Sequence, residues 1–133
     1  MRSLRRQTGM SMIGWLLVLV VAGFFMLCAF RMIPAYGENR YIQSALRSLP
    51  AGDDLEEMSN GAIRKKMLSF YMVNNVRSEG AKQIAIDRSS NKLTVNVDYE
   101  VRVPLFYNIE VVMSFANQVD SSRPNECCKA ASE

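Results

Sequence analysis

The chain has 133 residues, 49% of them hydrophobic, and a formal net charge of +3, which suits one small domain and one apolar segment. Arg2, Arg5, Arg6 and Arg31 flank the apolar segment, and the other 12 of the 16 basic residues stand against 13 acidic ones. A near-neutral soluble part lacks the clustered basic face that nucleic-acid binding needs, so we expect no nucleic-acid partner.

The N-terminal apolar run predicts a membrane helix. Met10–Phe30 contains no charged residue, and a helix of that length spans about 31 Å, close to the hydrocarbon thickness of a bilayer. The run is longer than a typical secretory h-region, and neither a good A-x-A cleavage site nor a lipoprotein box accompanies it. We therefore expect a retained transmembrane helix over residues 10–33, preceded by a basic N-terminus of residues 1–9.

The arginines before the apolar run predict its orientation. Under the positive-inside rule, Arg2, Arg5 and Arg6 keep the N-terminus in the cytoplasm and place the part of the chain after the helix outside. Membrane lipids are the expected surroundings of the helix itself.

One side of the predicted membrane helix carries residues a heptad apart, namely Trp15, Ala22 and Ala29. Small residues let a second helix approach closely, so this side is a candidate surface for binding another membrane protein. A passive helix that faces only lipid fits the same spacing, and the sequence leaves both interpretations open.

The segment RRQTG-MSMIGWLLVLVVAG resembles the N-terminus of type IV pilins, in which a basic leader ending in glycine precedes an apolar helix. The resemblance implies cleavage after Gly9. Pilins carry a glutamate at the fifth residue after the cut, which pairs with the N-terminal amine of a neighbouring subunit. This chain has Gly14 there, so it lacks the costly buried carboxylate that such a pair requires.

Two helices are predicted next. Pro34 either kinks the membrane helix or opens a new one, and the residues after it place Ile42, Ala45, Leu46 and Leu49 on one helical face. An acidic linker follows. Ser59 or Asn60 is predicted to cap a second helix. The apolar face of that helix consists of Ile63, Met67, Phe70 and Tyr71.

The hydrophobic period then changes from that of a helix to that of strands. QIAID predicts a short strand, and residues 92–103 and 109–119 alternate apolar with polar side chains. Two helices on the apolar face of a three-stranded antiparallel sheet predict an α+β domain over residues 34–120. A flexible tail over residues 121–133 follows. The inward side chains predicted for the last strand are Ile109, Val111, Met113 and Phe115.

The predicted turn between the last two strands is apolar and contains Pro104, Leu105, Phe106 and Tyr107. If these side chains are exposed, they form a candidate surface for binding a partner. Alternatively, Pro104 bends the strand and the side chains fold back onto the core.

The residue types offer no catalytic constellation. The chain has no histidine, which removes the commonest general base and the usual mixed zinc ligands. Cys28 lies in the apolar run, and a disulfide between the neighbours Cys127 and Cys128 is strained, so we expect an inert tail. We expect no enzyme activity, catalytic residue, metal, cofactor or small-molecule substrate, with a serine–lysine hydrolase as the least favoured alternative. Asp53-Asp54 and Glu56-Glu57 are interpreted as solvated linker. Asp98 and Glu100 lie on the open face of a strand, where we expect them to pair with Arg102 or Lys92.

The stretches GMSMIGWLLVLVVAGFF, NNVRS and above all VDYEVRVPLFYNIEVV resemble the family called domain of unknown function 4845, found in Gram-negative bacterial membrane proteins. The resemblance covers about Arg6 to Val119. It implies one N-terminal helix in the inner membrane and a small periplasmic domain, with no established catalytic residues.

Genes of this family commonly lie between those for signal peptidase I and ribonuclease III, so the resemblance implies a tie to one of these products. Ribonuclease III acts in the cytoplasm, where this chain shows only residues 1–9, whereas signal peptidase I works on the outer face of the membrane. We therefore expect a non-enzymatic accessory protein that binds another membrane protein, first of all signal peptidase I, as adaptor or modulator. The alternative is a pseudopilin-like subunit of a periplasm-spanning filament, and homo-oligomers are compatible with both.

Overall fold

The structure, a computed structural model, describes Gly9 and residues 11–51, 55–89 and 92–128. It has three antiparallel strands in the order β1-β2-β3, which confirms the predicted α+β class. The elements in chain order are helix α1 (Met12–Ser48), helix α2 (Asn60–Val73), a short 3₁₀ helix (Glu79–Lys82), strands β1 (Ala85–Ser89), β2 (Lys92–Phe106) and β3 (Ile109–Asp120), and a 3₁₀ turn (Pro124–Glu126).

Helix α1 is continuous from the apolar segment into the domain. The side chain of Ser11 caps it by accepting a hydrogen bond from Gly14 N at 3.3 Å, and the helix then runs for 37 residues through Pro34. Pro34 has no N–H for the carbonyl of Phe30, yet the helix continues, so Pro34 does not open a new one. The first half of α1, residues 12–30, is long and apolar enough to cross a membrane, and we call it the apolar half.

The second half of α1 packs on the sheet together with α2. All four apolar residues predicted for its inner face, Ile42, Ala45, Leu46 and Leu49, are at most 1% exposed. Helix α2 begins after Ser59, whose side chain accepts from Ala62 N at 3.2 Å. Its predicted apolar face is also confirmed, since Ile63, Met67 and Tyr71 are buried and Phe70 is half-buried. Leu55, in the predicted linker, is buried as well.

Apolar and polar side chains alternate along β2 and β3, and the apolar ones face the core as predicted, with one difference. In β2, Leu93 to Tyr99 bury every second side chain. In β3, Met113 and Phe115 are buried, but Ile109 is 59% exposed, contrary to the prediction. A bulge between Pro104 and Phe106 shifts the pairing so that Phe106 faces Ile109 at the hairpin tip. At the hairpin tip the side chain of Ile109 does not contact the buried core.

Strand β1 covers only part of the edge of β2. It pairs with residues 92–96, and beyond Asn96 the short 3₁₀ helix lies beside β2 instead. This approach is close, because a Cβ added to Gly80 would lie 2.9 Å from the Cβ of Tyr99. Only glycine fits there without movement of the strand or the 3₁₀ helix.

The first residues of the predicted tail are bonded to the sheet. Ser121 N donates to Leu93 O at 2.9 Å, and Cys128 N donates to Gln118 O at 2.7 Å. Residues 129–133 lie outside the described part of the chain.

Replacing Gly80 with Ala is expected to destabilise the domain, because the new methyl group must push against β2. Overpacking of this kind costs about 1–3 kcal/mol, so the melting temperature should fall by several degrees. Gly61→Ala is the matched control: a Cβ there meets nothing within 4 Å, and alanine is favoured over glycine inside a helix. Thermal unfolding of the detergent-solubilised chain, followed by circular dichroism, would contradict this account if G80A and G61A melted at the same temperature.

Candidate functional site

The predicted apolar turn forms the exposed tip of the β2–β3 hairpin. Phe106 is 47% exposed, Tyr107 is fully exposed and Leu105 is half-buried. Tyr107 adopts a positive φ of 37°, a backbone conformation that tight turns require. Phe106 and Tyr107 therefore do not fold back onto the core, which leaves the hairpin tip, residues 105–109, available for contacts outside the domain.

The hairpin lies against helix α1 at two levels. The ring of Phe106 stacks on that of Phe24 in the apolar half, with centroids 6.0 Å apart and planes 4° apart. Higher up, Arg31 Nη1 donates to the carbonyl oxygen of Pro104 at 2.8 Å. Phe24 and Arg31 are seven residues apart, so the two contacts are separated by about 10 Å along the helix axis.

Trp15, Ala22 and Ala29 lie on the other side of the apolar half. At 100° per residue they are about 140–180° around the helix from Phe24, and all three are exposed. We call this the heptad side. The residues predicted to bind a partner thus form two separate surfaces, the hairpin tip and the heptad side, which face away from each other.

A shallow apolar hollow lies on α1 between the heptad side and the side that contacts the hairpin. Its volume is about 390 Å³, and Gly23 leaves open space within it because a Cβ there would meet nothing within 4 Å. The lining residues are Gly23, Met26, Leu27, Phe30 and Arg31. A hollow of this kind gives a second helix room for close approach.

A buried polar network joins α1 to the sheet above the membrane segment. Asn117, only 2% exposed, donates through Nδ2 to Asn39 Oδ1 at 2.7 Å and accepts from Gln43 Nε2 at 3.2 Å. The hydroxyl of Tyr99 also donates to Asn39 Oδ1, at 3.4 Å. These bonds are directional, so they set one position of α1 along the sheet.

Glu38, also on α1, binds the loop before the short 3₁₀ helix. Its carboxylate accepts from the N–H and the hydroxyl of Ser78, at 3.2 and 2.5 Å. Burial raises the pKa of Tyr99 above its ordinary value, and the negative charge of Glu38 raises it further. Burial likewise raises the pKa of Tyr71, so both phenols stay neutral at physiological pH.

The polar face of the sheet carries charges of both signs. Glu100 and Arg102 approach to 4.0 Å while remaining exposed.

A groove of about 570 Å³ lies where α2, the 3₁₀ helix and the sheet meet, and in it Asn96 Oδ1 has no hydrogen-bond partner among the described residues. The groove is lined by Arg64, Lys82, Gln83, Ile84, Ala85, Asn96 and Asp98. Its mixed charge selects no single class of ion.

The remaining candidate residues are dispersed. Cys127 and Cys128 are joined by a disulfide, a pairing that the sequence analysis disfavoured, and their sulfurs lie 4.0 and 3.5 Å from Gln43 O. Cys28 is a free thiol in α1. Within the described ranges, no three His, Cys, Asp or Glu residues cluster as metal ligands would. Several predicted positions lie outside the described residues: Arg2, Arg5, Arg6, Asp53 and Asp54.

A family model described as Domain of unknown function (DUF4845) matches residues 31–115, which is more than half of the 133 residues. The chain belongs to this family. No curated protein and no solved structure matches it. The range matched to DUF4845 is narrower than the resemblance that runs from about Arg6 to Val119. It starts at Arg31 and so leaves out the apolar half of α1, while it includes the hairpin tip.

Three residues of the site went unpredicted. Asn117 follows Phe115 by two positions, so the strand period pointed it inward, but its polarity argued against a core position. Phe24 and Arg31 contact a hairpin more than 70 residues away. No local pattern in the sequence indicates that contact.

Replacing Asn117 with Ala is expected to destabilise this DUF4845 domain by about 1–3 kcal/mol, because buried polar partners then lose their hydrogen bonds. The affected groups are Asn39 Oδ1 and Gln43 Nε2. Ser114→Ala, on the exposed face of the same strand, is the control and should leave the melting temperature nearly unchanged. Melting temperatures from circular dichroism would count against the network if N117A were as stable as S114A.

Proposed function

We propose that this protein is a non-enzymatic accessory protein of the bacterial inner membrane. It binds another membrane protein through the heptad side of α1, and signal peptidase I is the first candidate partner. The observation that carries the proposal is the division of the apolar half of α1, where the hairpin occupies one side and the small residues lie free on the opposite side.

The heptad side suits helix packing within a bilayer. Helices in lipid associate through close packing, since lipid tails are as apolar as their side chains. Ala22 and Ala29 let a second backbone approach, and Gly23, about 100° around the helix from Ala22, opens onto an apolar hollow.

The domain supports the role of a positioned binding module. Helix α1 passes uninterrupted into the core, and the contacts of Phe24 and Arg31 hold the hairpin at a defined side of the helix. The domain would therefore have one orientation relative to a protein bound to the heptad side. This property fits an adaptor or modulator.

Orientation and compartment form part of the proposal. The three N-terminal arginines favour a cytoplasmic N-terminus, which puts the domain in the periplasm, on the face of the membrane where signal peptidase I works. The gene neighbourhood implied by the family supports the same partner.

The pKa values of two surface carboxylates are shifted by their near neighbours in the chain. The pKa of Glu79 is lowered by its hydrogen bond and charge attraction to Lys82, and that of Asp120 by hydrogen bonds from Ser122. Both carboxylates lie at the surface and are bonded to near neighbours in the chain. Such shifts are typical of local surface pairs.

The alternative is a pseudopilin-like subunit. One observation favours it: α1 leaves its apolar half free of the domain core while its second half packs on the sheet, so several such helices could bundle into a filament. The N-terminal sequence of the native protein separates the two proposals. Cleavage after Gly9 with methylation of Met10 would support the filament, whereas an intact Met1 would contradict it.

Photocrosslinking from α1 tests the partner. A short diazirine amino acid in place of Ala22 should crosslink to signal peptidase I in native membranes, because Ala22 lies on the heptad side and a short side chain leaves room for a second helix. The matched control replaces Val20, which is 64% exposed and about 160° around the helix from Ala22. We expect a strong product from Ala22 and little from Val20, identified by mass spectrometry. Equal yields from the two positions, or products without the peptidase, would refute this partner.

A further inference from the structure

The depth of the hairpin tip follows first from helix α1. The first charge beyond the apolar half is Arg31, and Phe24 lies seven residues before it, about 10 Å deeper along the axis. Phe106 stacks on Phe24. Since the apolar half is the segment suited to cross a membrane, a side chain at the level of Phe24 lies well below the surface of the leaflet on the domain's side.

The length of the hairpin beyond Arg31 agrees with this depth. Arg31 bonds to the carbonyl of Pro104, which places Pro104 at the level of the charged end of the segment. Tyr107 follows three residues later, and a strand rises about 3.3 Å per residue. The turn therefore reaches about 10 Å past Arg31, in agreement with the stacking on Phe24.

The composition of the hairpin tip changes at that same level. Residues 105–109 contain no charged side chain and three large exposed ones, Phe106, Tyr107 and Ile109. The nearest charges on the two strands are Arg102 and Glu110, which flank the tip on the side of the domain. Together with Arg31 they form a charged collar above an apolar end, as an element that enters a leaflet from water requires.

The open edge of β2 leaves no unpaired backbone group at Pro104, the residue level with Arg31. Ser121 N donates to Leu93 O, so in this antiparallel ladder the odd residues of β2 bond β3 and the even ones direct their backbone groups to the opposite edge. Strand β1 ends its pairing at Asn96. At Pro104 the open edge has no N–H, and its carbonyl accepts from Arg31. Unpaired backbone groups are costly in hydrocarbon, and at this residue none is left.

From these observations we propose that the hairpin tip is immersed among the lipid acyl chains of the leaflet on the domain's side, as a second membrane contact beside α1. The occupant of this exposed apolar surface is lipid, because the tip shares its depth with a membrane-spanning helix and touches that helix. The inference is independent of any protein partner, since it requires only the full chain in a bilayer.

The single tryptophan of the chain, Trp15, makes a depth measurement direct. In the W15F/Y107W variant the only indole is at the tip, and Tyr107 is fully exposed, so the substitution disturbs no packing. The W15F/G61W variant is the matched control. Gly61 lies in open space beside Asn60, which accepts from Arg88 at the far end of the sheet. The full chains are reconstituted in phosphatidylcholine vesicles with and without bromine in the upper part of the acyl chains.

We expect brominated lipid to quench most of the Y107W fluorescence and to leave that of G61W unchanged. Quenching of Y107W no greater than that of G61W, with wild-type Trp15 fully quenched, would overturn the insertion of the tip and leave the membrane anchor and the proposed function standing. Unquenched Trp15 would show that α1 does not enter the bilayer, and would overturn both.

Discussion

The structure depends on one continuous helix, α1, whose first half suits lipid and whose second half packs in the core of the domain. The apolar half of α1 suits lipid, and the second half of the same helix buries a stripe of side chains under the sheet. Phe24, Arg31 and Ile42 fall on one side of the helix because their spacings of seven and eleven residues are close to whole numbers of turns. The stripe that touches the sheet therefore continues into the apolar half, where it meets the hairpin. Packing in the core thus decides which side of the membrane segment stays free.

The buried polar network decides where α1 lies along that stripe. Apolar side chains alone allow small slides of a helix over a sheet, since dispersion contacts are individually weak and not directional. Asn117 inside the core can satisfy its amide only opposite Asn39 and Gln43. A slide by one turn would leave these groups buried and unpaired, which is costly. The hairpin tip then reaches the level of Phe24 as a consequence of that register.

Local patterns predicted much of this fold. The alternation in β2, the apolar face of α2 and the stripe from Ile42 to Leu49 each follow from one period and agree with the structure. Pro34 was ambiguous, because a proline is compatible with a kink or a helix start and only tertiary packing decides. The exposure of Ile109 depends on a bulge that no alternation reveals.

The sequence predicted the two surfaces of the candidate site but not their positions relative to each other. Small residues at heptad spacing and an apolar turn identified both surfaces. Their placement on opposite sides of α1 required the contacts of Phe24 and Arg31, which join residues more than 70 positions apart. Long-range contacts of this kind leave no periodic signal, because each depends on the register of a whole sheet against a helix.

Hydrogen exchange of the chain in nanodiscs, read by mass spectrometry, tests the continuity of α1 most directly. If α1 is a single helix, the backbone amides on both sides of Pro34, from Phe30 to Glu38, should be protected at the same level as those of the core stripe. Rapid exchange confined to this stretch would show a flexible joint between membrane segment and domain, and would contradict the fixed orientation on which the whole account relies.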